Sequence, residues 1–308
     1  MKVFIFEYVC GGGFQDDLPP PDLLRQGREM LRAALADFSR LPDPVQVYTL
    51  IEERFAFDIP ERVRCRNPEG PWHDAWLDLV RHCDAVLVIA PESEHQLERL
   101  CGEVLGKDRK SLNCTLEAIC LAADKWALNH HLRAAGIPVV DTQVWDPSDP
   151  MPTQGVIKPR YGAGCEETFV LDAGSGSPAL EPENQWVWQP WIRGQAVSLN
   201  LLAGKGEAEV LSCNRIYCEN REGRLHVREI DTGGLNDDPQ FREEARSMAS
   251  RIMAAVPGLR GYVGVDGIWG DSLTVLEINP RLTLTYAGLP VPLAERMLQV
   301  FDCAGVPV

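Results

Sequence analysis

Two short apolar runs in the last sixth of the chain carry oxygen-bearing side chains within otherwise hydrophobic strands: Gly261-Tyr-Val-Gly-Val-Asp266 and Leu276-Glu-Ile-Asn-Pro-Arg281. Side chains alternate faces along a strand, so Glu277 and Asn279 share one. Asp266 interrupts the other apolar run. If the two runs pair as neighbours, three oxygen ligands converge. That is hard-cation chemistry, suited to one or two Mg²⁺ ions bridged by substrate phosphates, with Mn²⁺ also fitting. Arg281 returns toward the same face and can hold a phosphate fork-to-fork. The alternative is a solvated face of an edge strand.

The first third of the chain alternates strand and helix patterns. Residues 3–8, 45–50 and 84–91 read as apolar strands. Leu23, Leu24, Gly27, Met30, Leu31, Ala34, Leu35 and Phe38 fall on one helical face, and residues 72–82 suit a second helix. Such alternation favours a parallel α/β sheet. A single helix is expected over 115–135, ended by Gly136 and Pro138. Strands follow at 155–159, 167–171, 186–191, 196–203 and 208–212, with a Gly/Ser/Pro-rich surface loop at 172–184. Phe241 to Val256 reads as an amphipathic helix, and 261–269 and 272–278 are the last clear strands.

Three further segments carry chemistry. In Val156-Ile-Lys-Pro-Arg-Tyr-Gly-Ala-Gly-Cys165, a strand delivers Lys158 to a turn containing Gly162 and Gly164. Backbone N–H groups of such a turn can face a phosphate, and the lysine adds a point charge. A β-hairpin with a surface lysine fits the segment equally when it is read alone. In Gln189-Pro-Trp-Ile-Arg-Gly194, the Pro190 C=O can accept from an adenine amino group and the Ile192 N–H can donate to the ring. A strand ending in a turn fits this segment as well. Lys125, in mid-helix, reads alone as a solvated surface residue.

The formal net charge is −15, which disfavours nucleic acid and anionic lipid as partners. No apolar run is long enough to span a membrane. Ten cysteines include no Cys-x-x-Cys pair, and no export signal precedes the first strand. Reduced thiols in the cytoplasm are the expectation. Cys165 beside the glycine turn is read as a small loop residue.

The order Asp124-Lys125, Lys158-Pro with a glycine loop, a hinge ending in Gly194, then Asp266 and Glu277-x-Asn279-Pro-Arg281 resembles the ATP-grasp superfamily over roughly 112–289. The resemblance implies an α/β fold with α+β elements. It would comprise an N-terminal Rossmann-like domain (1–111), a small lid domain (112–188) and a C-terminal catalytic domain (189–308), with ATP held between the last two. By that resemblance Lys125 and Lys158 contact phosphates, Gly162 and Gly164 close over them, Gln189, Pro190 and Ile192 line the adenine, and Asp266, Glu277 and Asn279 bind Mg²⁺. Lys158 and Arg281 then act on the transferred phosphoryl group. Many ATP-grasp enzymes place a ribose-binding Glu two residues after the hinge glycine; here that position is Ala196.

Shorter motifs at both ends are similar to the tyramine–glutamate ligases of methanofuran biosynthesis and their methylofuran relatives. They are Phe6-Glu-Tyr8 with its glycine-rich continuation, Gly27-Arg-Glu-Met30, Ala90-Pro-Glu-Ser93, Ser212-Cys-Asn-Arg215, Asn279-Pro-Arg-Leu-Thr283 and Tyr286. This resemblance implies a ligase joining small-molecule acid and amine substrates, with Glu7, Tyr8, Arg28, Asn214 and Arg215 facing them. Two rival readings are a ligase for another acid–amine pair and a non-catalytic nucleotide-binding module. A homo-oligomer is compatible with the sequence.

Overall fold

The computed structural model describes residues 1–146, 148, 153–162, 167–174, 178, 180, 185–290 and 292–302. In the N-terminal part, β1 (Lys2–Glu7), α1 (Pro21–Phe38), β2 (Gln46–Leu50), β3 (Val63–Arg66), α2 (Trp72–His82), β4 (Ala85–Ile89), α3 (Gln96–Leu105) and β5 (Lys110–Ser111) follow one another. The strands form a parallel sheet of order β3-β2-β1-β4-β5. Helices cover both faces, which is why the strands read as continuous apolar runs. Val3 and Ile5 point to one side and pack with Leu31, Leu35 and Phe38 of α1. Phe4 and Phe6 point to the other and pack with Trp76 of α2 and Leu97 of α3. Each large side chain so buried contributes about 1.5–3 kcal/mol.

The order reverses at β1, with β2 on one side and β4 on the other. The carboxyl ends of β1 and β4 therefore open a crevice of the kind in which α/β sheets bind ligands. Glu7, the last residue of β1, lies there opposite Ile89, the last of β4.

The rest of the chain builds a nine-stranded antiparallel sheet. Its elements are α4 (Leu116–Ala123), α5 (Lys125–Ala134), β6 (Gln143–Trp145), β7 (Gly155–Pro159), β8 (Phe169–Leu171), β9 (Trp186–Pro190), β10 (Gln195–Gly204), β11 (Glu207–Arg221), β12 (Arg224–Asp231), α6 (Pro239–Ala255), β13 (Gly261–Trp269), β14 (Leu273–Asn279) and α7 (Ala294–Val300). The strand order is β14-β13-β10-β11-β12-β8-β7-β9-β6. The four strands β8, β7, β9 and β6 hang from β12 through one residue pair, Arg224–Phe169. A division at 188/189 would run through β9.

Two expectations from the sequence change. The helix expected over 115–135 is two helices broken at Asp124, whose extended backbone (φ −91°, ψ 97°) N-caps the second. Lys125 is thus a first-turn residue, and it is buried rather than solvated. The strand at 208–212 runs on to Arg221, turns at Glu222-Gly223 and returns as β12. The returning strand is largely exposed, and its apolar alternation is confined to Leu225 and Val227, too short a pattern to mark a strand in the sequence. The surface loop placed at 172–184 lies mostly outside the described residues.

One face of β10, β11, β13 and β14 is closed by α6: Phe241, Ala245, Met248 and Ile252 pack on Val197, Leu199, Leu201, Val263 and Val265. On the opposite face Leu202 and Tyr262 join the apolar cluster around Tyr286 and Phe301, and beyond them that face is polar. Asn214, Ser198, Asp266 and Glu277 form one cross-strand row on it, and Ser212, Asn200, Gly264 and Asn279 form the next.

Candidate active site

A β-bulge sets the acidic end of those rows. Asp266 pairs with Glu277 but Gly267 pairs with Val275, so Leu276 is the extra residue. Strict alternation would put Val275, Glu277 and Asn279 on one face. The bulge lets Val275 join Ile278 in the core while Glu277 and Asn279 face the cleft. Asp266 and Glu277 are half-buried and Asn279 is buried. Asn279 Nδ2 donates to Asp266 Oδ2 at 2.9 Å.

Two buried lysines meet this acidic pair. Lys158, from β7, donates to Glu277 Oε2 at 3.3 Å. Lys125 Nζ donates to the Gly162 carbonyl at 2.7 Å, and its pKa is lowered, first by burial. The charges of Glu277, Lys158, Glu92 and Arg281 all act on Lys125, so these groups form one electrostatic cluster. Burial alone would raise the Glu277 pKa, but Lys158, Lys125 and Arg281 together hold it below the ordinary value. Asp266 is pushed up to about 7, first by burial and then by the Glu277 carboxylate. Two facing carboxylates that cannot both ionise cheaply, with an amide beside them, fit a hard dication completed by phosphate oxygens and water.

A pH dependence follows. A carboxyl with a raised folded pKa stabilises the protein fully below its unfolded value, about 3.9. That contribution is lost as pH rises through about 7. A dication must displace the Asp266 proton, so Mg²⁺–nucleotide affinity is expected to be tighter at about pH 8 than at about pH 6. Calorimetric titration checks this, and Asp266→Asn should flatten the difference. An equal slope in that variant would assign the proton elsewhere.

On the lid side, Asp124 accepts from the Trp126 and Ala127 N–H groups and from Arg160 Nε (2.8 Å) and Nη2 (2.6 Å), and the Tyr161 hydroxyl donates to it at 3.0 Å. Gly162 thus stays beside Lys125. Gly164 and Cys165 lie outside the described residues. Gln189 is buried, with Nε2 donating to Thr142 Oγ1 at 2.9 Å. The Trp191 N–H donates to the Gln154 carbonyl. Gly155–Pro190 is then the intervening pair that exchanges no hydrogen bond, so Pro190 costs the β7–β9 ladder nothing. Ile192 lies just past β9, half-buried. The hinge glycine, Gly194, sits where a Cβ would come within 2.6 Å of the Trp269 carbonyl and 2.5 Å of Ile268.

At the N-terminal crevice, Glu7 is buried, and its own loop occupies both carboxylate oxygens: the Val9 N–H at 3.2 Å and the Cys10 N–H at 2.7 Å. Burial raises its pKa, opposed by those N–H groups and by the Arg281 charge. A Cβ on Gly27 would lie 2.6 Å from Glu7 Oε1, which explains the glycine on α1. The Tyr8 ring packs edge-on to Trp72 and Phe14 rather than into the acidic cluster. Arg28 donates to the Phe55 carbonyl at 3.4 Å, and its buried Nε has no partner among the described residues. Asn214 is wholly buried, donating to Ser198 Oγ and Asn200 Oδ1 and accepting from Ser212 and the Gly233 N–H. Arg215, the next residue, points to the other face and lies 3.9 Å from Asp231.

Arg281 is buried. Its Nε and Nη2 donate to Glu92 Oε1 and Oε2 at 2.9 and 2.8 Å, and its Nη1 donates to the Leu282 carbonyl. The Ala90-Pro-Glu-Ser93 motif by itself gives Glu92 no role. The only signal available was an acidic residue just past an apolar strand of a parallel sheet, where crevices form. Asp124 was likewise read only as the neighbour of a lysine.

Residues 122–285 match the ATP-grasp domain family and residues 45–119 the pre-ATP-grasp domain. A tyramine–L-glutamate ligase from Methanocaldococcus fervens is 28% identical over 305 residues, covering 96% of this chain and 93% of the relative. One from Methanocaldococcus jannaschii is 27% identical over 304 residues, covering 96% and 88%. The crystal structure of an ATP-grasp superfamily protein from Archaeoglobus fulgidus matches with a TM-score of 0.70 at 25% identity, over all of this chain and 89% of its own. D-alanine–D-alanine ligase from Bacillus anthracis, complexed with ATP, shares the fold at 11% identity, with a TM-score of 0.65 over 98% and 96% of the two chains. No helix among the described residues is long and apolar enough to cross a membrane. With the ATP-grasp match running over more than half of its length, the chain belongs to the ATP-grasp family.

Proposed function

We propose that the chain is an ATP-dependent ligase that joins the γ-carboxylate of glutamate to the amine of tyramine or tyrosine, as in methanofuran- and methylofuran-type cofactor synthesis. The observation that carries the chemistry is the meeting of Lys125, Lys158 and Arg281 with Asp266, Glu277 and Asn279 in one cleft. The substrate pair rests on the relatives, both tyramine–L-glutamate ligases aligned over nearly the whole chain.

The substrate carboxylate attacks the γ-phosphorus of ATP, forming an acylphosphate as ADP leaves. The amine nitrogen then attacks the acyl carbon, phosphate departs with the bonding pair, and the nitrogen gives up a proton. Asp266, Glu277 and Asn279 would hold Mg²⁺, which neutralises phosphate oxygens when bound. Lys158 and Lys125 supply fixed positive charge at the phosphates, and Arg281 presents N–H groups to the phosphoryl oxygens and the tetrahedral oxyanion. Gly162, held by Lys125, would help to close the cleft against water, which would otherwise hydrolyse the acylphosphate. Gln189, Pro190 and Ile192 line the adenine. No protein nucleophile takes part. In this reading the reacting carboxylate lies near the crevice at the ends of β1 and β4, supported by the pairing of Glu92, just past β4, with Arg281, and Glu7 shapes the crevice by holding its own loop.

Mass spectrometry of mixtures with Mg²⁺, ATP, glutamate and each amine in turn tests the reading. The expected products are a γ-glutamyl amide, ADP and phosphate. Phosphate release with another acid, and no glutamyl amide from either amine, would retain the ligase and discard this substrate pair.

A further inference from the structure

We propose that Glu92 is a positioning residue for the phosphoryl centre: it fixes the plane of the Arg281 guanidinium so that the remaining N–H groups of Arg281 face the γ-phosphate. The inference rests on the reading of Arg281 as the phosphoryl-facing arginine. Glu92 comes from the N-terminal part of the chain, three residues after β4, and Arg281 lies two residues after β14. The two are 189 residues apart in sequence. Both are buried, with relative exposures of 4% and 8%. The contact uses both carboxylate oxygens and two guanidinium nitrogens, a geometry that fixes orientation as well as distance. A third N–H is held by the Leu282 carbonyl. Of the five N–H groups of an arginine, two then remain for a ligand.

The backbone around Glu92 agrees with an imposed position. Glu94 and His95 both adopt left-handed conformations (φ 52° and 56°), which non-glycine residues rarely do consecutively. The same segment reaches the lid: the His95 ring lies 5.0 Å from the Tyr161 ring, and Tyr161 donates to Asp124 beside Lys125. Residues 92–95 therefore touch the arginine on one side and the glycine-turn segment on the other. Packing alone does not require the bidentate pair, because replacing a buried ion pair with apolar groups is often neutral or stabilising. An aligned arginine gives the pair a reason to exist.

The test compares the wild type, Glu92→Gln, Arg281→Lys and the double variant. Calorimetry gives the affinity of each for Mg²⁺ with a non-hydrolysable ATP analogue and for Mg²⁺–ADP. Neither measurement needs the acid or the amine, so a wrong substrate pair leaves the result intact. The wild type is expected to prefer the triphosphate analogue. Glu92→Gln presents an amide NH₂ to a guanidinium donor, so it should lower that preference about tenfold or more. In the Arg281→Lys background, where no fork remains, it should add nothing. Glu92→Asp keeps the charge on a shorter arm and should recover part of the preference; it also carries the test if Glu92→Gln fails to fold. A preference unchanged in Glu92→Gln, or in Glu92→Asp where Glu92→Gln does not fold, alongside a lowered melting temperature, would make the pair a structural cross-link only. Effects that multiply in the double variant would mean that Glu92 acts independently of Arg281, and a wild type without any preference would overturn both roles.

Discussion

Glu277→Ala should lower turnover about a thousandfold or more and abolish the Mg²⁺ dependence of nucleotide binding. A bound dication supplies several kcal/mol of charge stabilisation to a transferring phosphoryl group, and about 4 kcal/mol corresponds to a thousandfold in rate. Of the three residues proposed to hold Mg²⁺, Glu277 is the one that ionises most readily, because Lys158 and Lys125 hold its pKa down while Asp266 is pushed up to about 7. Removing it leaves a single carboxyl and one amide, too little charge for a hard cation. A second effect distinguishes this variant from a misfolded one. Without the Glu277 charge, Asp266 loses a cause of its raised pKa and should ionise at lower pH. The gain in apo-protein stability on acidification toward pH 4, as Asp266 takes up its proton, should therefore shrink. Phosphate release and thermal melts across pH measure the two effects. Retained turnover would remove Glu277 from the metal site.

The sequence made the acidic end of this site legible because oxygen ligands inside apolar strands break a strong pattern. Asp266, Glu277 and Asn279 do lie on paired strands, opposite one another or one row apart. The bulge that re-aims Glu277 was not legible, since a one-residue shift leaves composition unchanged. The parallel sheet was legible from its continuous apolar runs, whereas β3 and β12 were not: Val63–Arg66 is a short, mostly exposed edge, and in Arg224–Asp231 only Leu225 and Val227 alternate before a register shift breaks the period ahead of Ile230. Long-range polar partners were also hidden. Arg281 stands out in the sequence only as a phosphate candidate and Glu92 as an ordinary surface-type residue, and only the fold brings the two charges, 189 positions apart, into one buried fork. The helix break at Asp124 was masked because Leu116, Ile119, Ala123 and Ala127 keep helical spacing across it. The signal present was a good N-cap residue inside a helical pattern, where Asp competes with the backbone for N–H groups.

That break supports the second large effect, for Asp124→Ala. Asp124 caps α5 by accepting from two N–H groups, and an N-cap acid replaced by alanine costs about 1 kcal/mol. It also takes two charge-assisted hydrogen bonds from Arg160, and hydrogen bonds to charged groups contribute about 1.5–3 kcal/mol. The expected loss is therefore roughly 3 kcal/mol, discounted from the sum because the Arg160 side chain is about one-fifth exposed and water can take over part of its bonding. The functional loss should be larger than a stability change of that size implies. Asp124 holds Arg160 and Tyr161, which flank the route to Gly162, and Lys125 Nζ donates to the Gly162 carbonyl. Freed of Asp124, Gly162 and Lys125 lose their common anchor, and two elements proposed to face phosphate are displaced at once. The pH behaviour separates the cap from the ion pair. Burial works to raise the Asp124 pKa, yet Arg160, the Ala127 N–H and Tyr161 together hold it below the ordinary value. Its stabilising contribution is therefore present above the ordinary carboxylate pKa and is lost as pH falls through the depressed one. Asp124→Asn should keep most of the cap while losing the charge, so its deficit relative to wild type should be clear at neutral pH and should narrow in acid. An Asp124→Asn variant as stable as wild type at neutral pH, with nucleotide affinity intact, would reduce Asp124 to a helix cap and leave the position of Lys125 to packing alone.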